Sequence, residues 1–178
     1  SQDPLGRLGS TRITNTPAQD HPAKALRALA PVSVRGDIDL AWTRITLWRA
    51  MVASTLDPIL RSGGLREVIV AGEPRNSSLS LMIAWLRLRL DEPVTRVDEE
   101  GVKGISSITA RTADGDVVIA RHDLEKVMIT RPGAPEPQAV TMARREPVST
   151  LNEELRRLTP DLVYQEVLAT LLEEPTND

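Results

Sequence analysis

A chain of 178 residues, 40% of them hydrophobic, is long enough for one ordinary domain with a packed core and an appended arm. Its net charge of −3 argues against a nucleic-acid or membrane-surface role, which a basic excess normally announces. Cysteine is absent, which excludes disulfides, thiolate metal sites and thiol redox switching within this sequence. No run approaches the roughly 20 apolar residues of a membrane span, and the opening SQDPLGRLG lacks a signal peptide's basic-then-apolar layout. A cytoplasmic protein is expected.

Residues 1–35 read as an N-terminal arm, mostly irregular. Pro4, Pro17, Pro22 and Pro31 punctuate it and Gly6 and Gly9 loosen its start, so Ser1–Pro17 should lack regular structure. One short helix is expected at Pro22–Ala30, with proline in its first turn. Residues 36–178 read as a single α/β domain.

The densest segment follows, GDIDLAWTRITLWRAMV (Gly36–Val52). It holds Trp42 and Trp48, in a chain with three tryptophans, one tyrosine and no phenylalanine. Asp37 and Asp39 suit a helix start, and a helix is expected from about Asp39 to Leu60, stopped by Ser62-Gly63-Gly64. Ala41, Ile45, Trp48 and Val52 recur at spacings of four, three and four, which is one helical face. Trp42, Thr46 and Arg49 fall on another, and tryptophan and arginine are the residue types of interaction hot spots. With Asp39 and Arg44 they form the candidate partner-binding set: Asp39, Trp42, Arg44, Thr46 and Arg49. A second reading of Trp42 stands beside this one, that it also packs inward, since few aromatics exist to build the core.

Leu65–Ala71 reads as a buried strand. Gly72–Asn76 is a turn, Ser78–Leu90 a helix apolar almost all round, and Val94–Val97 a second strand. That strand–helix–strand unit predicts a parallel pair. Ile105–Thr112 and Asp116–Arg121 flank Asp114-Gly115, a hairpin signal. Lys126–Thr130 and Ala139–Ala143 complete a meander. Thr150-x-x-Glu153 has the form of a capping box, and Thr159-Pro160 of an N-cap and first turn for a last helix to about Leu172. The fold class expected is α/β (mixed α+β): a mixed parallel/antiparallel sheet, a βαβ unit followed by an antiparallel meander, and helices packed on the sheet.

The chemical inventory is thin. Two histidines without cysteine cannot build the common zinc sites, and no G-x-S-x-G, P-loop or G-x-G-x-x-G occurs. His122-Asp123 reads as a turn. No catalytic residue, metal site or cofactor is expected. One place suits a ligand: the loop at Gly72–Ser78 joins the C-terminal end of a parallel strand to a helix start, where ligands and anions gather. Arg75, Asn76, Ser77 and Ser78 could bind a phosphate-like anion there, or Asn76 or Ser77 could simply cap the helix.

Four blocks carry a family resemblance. DLAWTRITLWR (Asp39–Arg49) resembles the DLxWTRxTxWR signature of the OpcA family, the glucose-6-phosphate dehydrogenase assembly proteins. DPLGRLGSTRIT (Asp3–Thr14), NSSLSLMIAWLRLRL (Asn76–Leu90) and MARREPVSTLNEELRRLTPDLVY (Met142–Tyr164) resemble three further family segments, in the family's order. Leu47 replaces a frequent proline, and Ser10 an alanine or arginine. The resemblance implies a C-terminal portion of a longer protein. It further implies a non-catalytic partner that binds glucose-6-phosphate dehydrogenase and promotes its assembly or activity, at the head of the oxidative pentose phosphate route. A sugar-phosphate or anion-sensing domain using the Gly72–Ser78 loop is the alternative.

Overall fold

Helix formation over the tryptophan segment is interrupted. In the computed structural model, which describes Gly9, residues 11–157 and residues 159–173, the expected continuous helix is two. Helix α2 covers Leu40–Arg44 and α3 covers Thr46–Ser62. Between them Ile45 leaves helical geometry at φ −90°, ψ 4°. The periodicity still identifies the buried positions: Ala41, Ile45, Trp48 and Val52 are all at most 6% exposed. It fails for Trp42 on the other face, which is 1% exposed because Asp161 and Tyr164 cover it from a distant part of the chain. Gly63 ends α3 in the left-handed region at φ 66°, where the missing Cβ removes the steric cost.

The chain forms two compact units, interleaved in sequence. The first comprises the described residues of 1–45, 75–88 and 145–178; the second comprises 46–74 and 89–144. The segment expected as an irregular arm therefore belongs to the first unit. The expectation of no regular structure up to Pro17 is corrected by strand β1, Ile13–Thr14, which pairs in parallel with β2, Ile38–Asp39. A 3₁₀ turn at Thr16–Ala18 and helix α1 at Pro22–Leu29 follow. Asp3–Leu8 and Ser10 of the DPLG block lie outside the described residues.

Helix α4, Ser77–Arg89, is buried on nearly every side, with Leu79, Leu81, Met82 and Ala84 fully covered and only Arg87 and Arg89 exposed. Helices α5, Pro147–Arg157, and α6, Leu162–Glu173, complete the first unit. Both start signals differ from expectation. α5 begins three residues before Thr150, whose hydroxyl bonds back to the carbonyls of Glu146 and Pro147, so no capping box forms. At α6 the cap is Asp161, whose carboxylate accepts the Tyr164 amide at 3.1 Å, in place of Thr159.

The second unit is a six-stranded mixed sheet with α3 lying against its β5 strand. In chain order its strands are β3 (Leu65–Gly72), β4 (Val94–Asp98), β5 (Ile105–Thr112), β6 (Gly115–Arg121), β7 (Lys126–Thr130) and β8 (Gln138–Thr141). The spatial order is β4-β3-β5-β6-β7-β8. β3 and β4 are parallel, Val68 opposite Val94 through Gly72 opposite Asp98. All other neighbours are antiparallel, and Thr112 faces Gly115 at the anticipated hairpin. The parallel pair plus meander matches the sequence pattern. Gly72 is required by close approach, since a Cβ there would lie 2.4 Å from the Gly104 carbonyl oxygen. Among the described residues no helix is long and apolar enough to cross a membrane.

Candidate functional site

The signature segment builds three polar nodes, and the first is Asp39. This residue is fully buried. Its Oδ2 accepts the Thr14 hydroxyl at 2.6 Å and the Thr16 amide at 2.9 Å, and its Oδ1 accepts the Thr16 hydroxyl at 2.8 Å and the Ala41 amide at 2.9 Å. One carboxylate thus caps α2 and fastens the segment after β1. Two residues earlier, Asp37 pairs with the Arg12 guanidinium and accepts the Val34 amide. Burial pushes the Asp37 pKa upward, but the Arg12 hydrogen bond, the Val34 amide and the Arg12 charge outweigh it and leave the pKa below the ordinary carboxyl value.

Trp42 is the second node. It is 1% exposed, and its indole N–H donates to Asp161 Oδ2 at 2.9 Å. Its ring lies 5.7 Å from that of Tyr164, tilted by 42°. Burial, then the negative charges of Asp39 and Asp37, raise the Tyr164 phenol far above its usual pKa, so it stays neutral. The third node joins α2 to α5. The Thr43 hydroxyl donates to Glu154 at 2.8 Å, and Arg145 donates to the Thr43 carbonyl at 2.9 Å while pairing with Glu153. Burial lowers the Arg145 and Arg44 pKa values, opposed by Glu154 for the former and by Asp39 and Glu146 for the latter. Both guanidiniums remain charged.

The expected partner-binding set is therefore not one exposed face. Trp42 and Asp39 are interior groups, which corrects the outward placement of Trp42 and selects its inward reading. Arg44, Thr46 and Arg49 keep partial exposure. Thr46 and Arg49 share a turn of α3, with Arg49 Nη2 at 3.5 Å from the Thr46 hydroxyl. In the second unit Trp48 has its own cation, the Arg121 guanidinium 5.4 Å from its ring centre, and Arg121 also donates to the Met142 carbonyl.

At the second candidate site Asn76 and Ser78 are bonded internally, while the buried Ser77 hydroxyl has no hydrogen-bond partner among the described residues. Asn76 Oδ1 accepts the Leu79 amide at 3.1 Å, an ordinary helix cap. Ser78 donates to the Ala41 carbonyl at 3.1 Å, and Ser77 is fully buried. Arg75 is exposed at φ 57°, and its carbonyl accepts the Ala23 amide at 3.0 Å. The geometry is that of capping, the other reading of these residues. His122 and Asp123 are exposed. Asp123 accepts the amides of Glu125 and Lys126 at 2.8 and 2.7 Å, which makes the turn read from the sequence. Among the described residues no group of three His, Asp or Glu side chains could hold a metal ion.

Residues 35–168 match a family described as the C-terminal domain of the OpcA glucose-6-phosphate dehydrogenase subunit. The chain belongs to the OpcA family. No individually curated protein matches it. The OpcA-matched span holds Asp39, Trp42, Trp48, Glu154 and Tyr164, and leaves the Asp39 donors Thr14 and Thr16 outside it. The sequence reading missed Asp161 and Tyr164 around Trp42, Glu154 and Arg145 at Thr43, and the Arg12, Thr14 and Thr16 donors to Asp37 and Asp39. The Asp161-x-x-Tyr164 cap was legible as an aspartate opening an apolar run. The Thr43–Glu154 pair had no local signal, since its members lie over a hundred residues apart.

Proposed function

We propose that this chain is a non-catalytic partner of glucose-6-phosphate dehydrogenase, binding that enzyme and promoting its assembly or activity in the oxidative pentose phosphate route. The observation that carries the reading is the OpcA match over residues 35–168, described as a domain of a subunit of that enzyme. The geometry supports it in kind. The charged and aromatic groups of the signature hold elements together: Asp39 caps, Trp42 bridges to Asp161, and Glu154 takes the Thr43 hydroxyl. Such buried groups brace the elements from within and leave the outer surface free for a partner. On this reading the protein works in the cytoplasm without a cofactor. An activator acts by binding the enzyme's active state more tightly than its inactive one, because a contact equal in both shifts nothing.

The test is co-purification of the chain with glucose-6-phosphate dehydrogenase, followed by assay of the enzyme with and without it. The expected result is a stable complex, a raised rate or a larger enzyme oligomer, and no turnover by the chain alone. Absence of a complex at micromolar concentrations of both proteins overturns the reading.

A further inference from the structure

Helix α5 is amphipathic in the reverse sense. It buries Thr150 and Glu154, at 0% and 7% exposure, and turns Val148, Leu151 and Leu155 outward at 70%, 38% and 51%. Its inward face meets α2 through the Thr43–Glu154 bond, and the Thr150 hydroxyl turns back onto the Glu146 and Pro147 carbonyls of its own first turn. Exposed apolar residues scattered singly are normal on a protein surface. These three are not scattered. They stand at i, i+3 and i+7 of one helix, the anchor spacing of a helix laid into an apolar groove. Beside them runs a shallow cleft lined by Ser149, Asn152, Glu153, Arg156 and Arg157. Arg156 and Arg157 are exposed and, among the described residues, form no ion pair. The surface is an apolar ridge with two cations, unpaired among the described residues, in its last turn.

We propose that α5 is the docking ridge of this chain, and that it seats in an apolar groove with an acidic rim on glucose-6-phosphate dehydrogenase. The inference rests on the partner proposed above. The three apolar side chains fill the groove, and carboxylates on its rim meet Arg156 and Arg157. Charge on the rim governs encounter and register, and the apolar anchors govern residence. Binding therefore weakens as salt rises.

The experiment measures dehydrogenase binding by the whole chain and three variants, with circular-dichroism melting as the control for folding. Leu151→Gln/Leu155→Gln removes two of the three anchors without breaking the helix, and Arg156→Glu/Arg157→Glu inverts the charge that faces the rim. Leu124→Gln removes a still more exposed leucine elsewhere, 68% accessible. The first two variants are expected to melt like the parent and to bind about tenfold or more weakly, the second also with a reversed or flattened salt dependence. Leu124→Gln is expected to bind normally. Full-strength binding by both α5 variants overturns the ridge while leaving the partner intact, and so does equal weakening by Leu124→Gln. Self-association of the chain lost in the leucine variant, with enzyme binding unchanged, assigns the ridge to a second copy and overturns the proposal. No binding by the parent chain overturns both this inference and the reading beneath it.

Discussion

Trp42 and Tyr164 meet through one carboxylate. Asp161 accepts the indole N–H of Trp42 on one oxygen at 2.9 Å and the backbone amide of Tyr164 on the other at 3.1 Å, so the cap of α6 is also the anchor of α2. Trp42→Ala is expected to cost about 3–5 kcal/mol, as for a large buried aromatic. Asp161→Ala removes a cap and a charge-assisted bond together and should cost about 1–3 kcal/mol. Urea denaturation of both variants measures this. A Trp42→Ala midpoint equal to the parent's would return Trp42 to the surface.

Asp39 concentrates more bonds than any other side chain of the signature, four donors on two oxygens. Asp39→Asn preserves shape but offers one acceptor oxygen where two are used, and its amide presents protons to groups that donate. The expected result is destabilisation by about 2–4 kcal/mol, since buried donors lose their acceptor at about 1–3 kcal/mol each. Amide exchange should report it locally, with protection lost first at Thr16 and Ala41. Uniform loss across the chain, with no lead at those two amides, would mean that Asp39 does not fasten the β1 segment.

The sheet was legible in the sequence because its evidence is local. Ile105–Thr112 and Lys126–Thr130 were bounded as the structure has them, by β-branched runs and by Gly115 at the hairpin. The parallel pair of β3 and β4 followed from the strand–helix–strand spacing. The inward role of Trp42 was not decided by the sequence. The groups that bury Trp42 arrive from Asp161 and Tyr164, distant in the chain, and helical counting carries no trace of them. The capping box at Thr150 failed for a related reason. Pro147 supplies a pre-set first turn, and the helix starts there, leaving Thr150 inside. The Gly72–Ser78 loop had the composition of an anion site, and only tertiary contacts revealed that Ser78 serves Ala41.

Asp37 makes stability depend on acid. Its folded pKa lies below its ordinary value because the Arg12 hydrogen bond and charge overcome burial. A depressed carboxyl pKa contributes stability that is full above the unfolded value of about 3.9, and that contribution is lost as pH falls through the folded value. Urea midpoints of parent and Asp37→Asn, compared from about pH 6 to about pH 3, should differ by a constant amount at the upper end and converge at the lower. A gap that persists undiminished at the acid end would show that the Arg12–Asp37 pair is not the source.

Trp48 and Arg121 form the corresponding tie in the second unit. The guanidinium stands over the indole at 5.4 Å and donates to the Met142 carbonyl, so α3, β6 and the segment after β8 meet at one cation. Burial lowers the Arg121 pKa, the Arg144 charge lowers it further, and Asp123 opposes both, yet an arginine keeps its proton at any physiological pH. The contact therefore persists with pH, unlike that of Asp37. A double-mutant cycle with Trp48→Leu and Arg121→Ala should return a coupling of about 0.5–2 kcal/mol, the range of a partly desolvated cation–π pair. Arg121→Lys should retain part of that coupling, since lysine keeps the charge but not the planar stack. Trp48→Leu alone should cost more than Arg121→Ala alone, because the indole is 6% exposed and the guanidinium only half-buried. A coupling indistinguishable from zero would make the geometry incidental and leave Trp48 held by apolar packing alone.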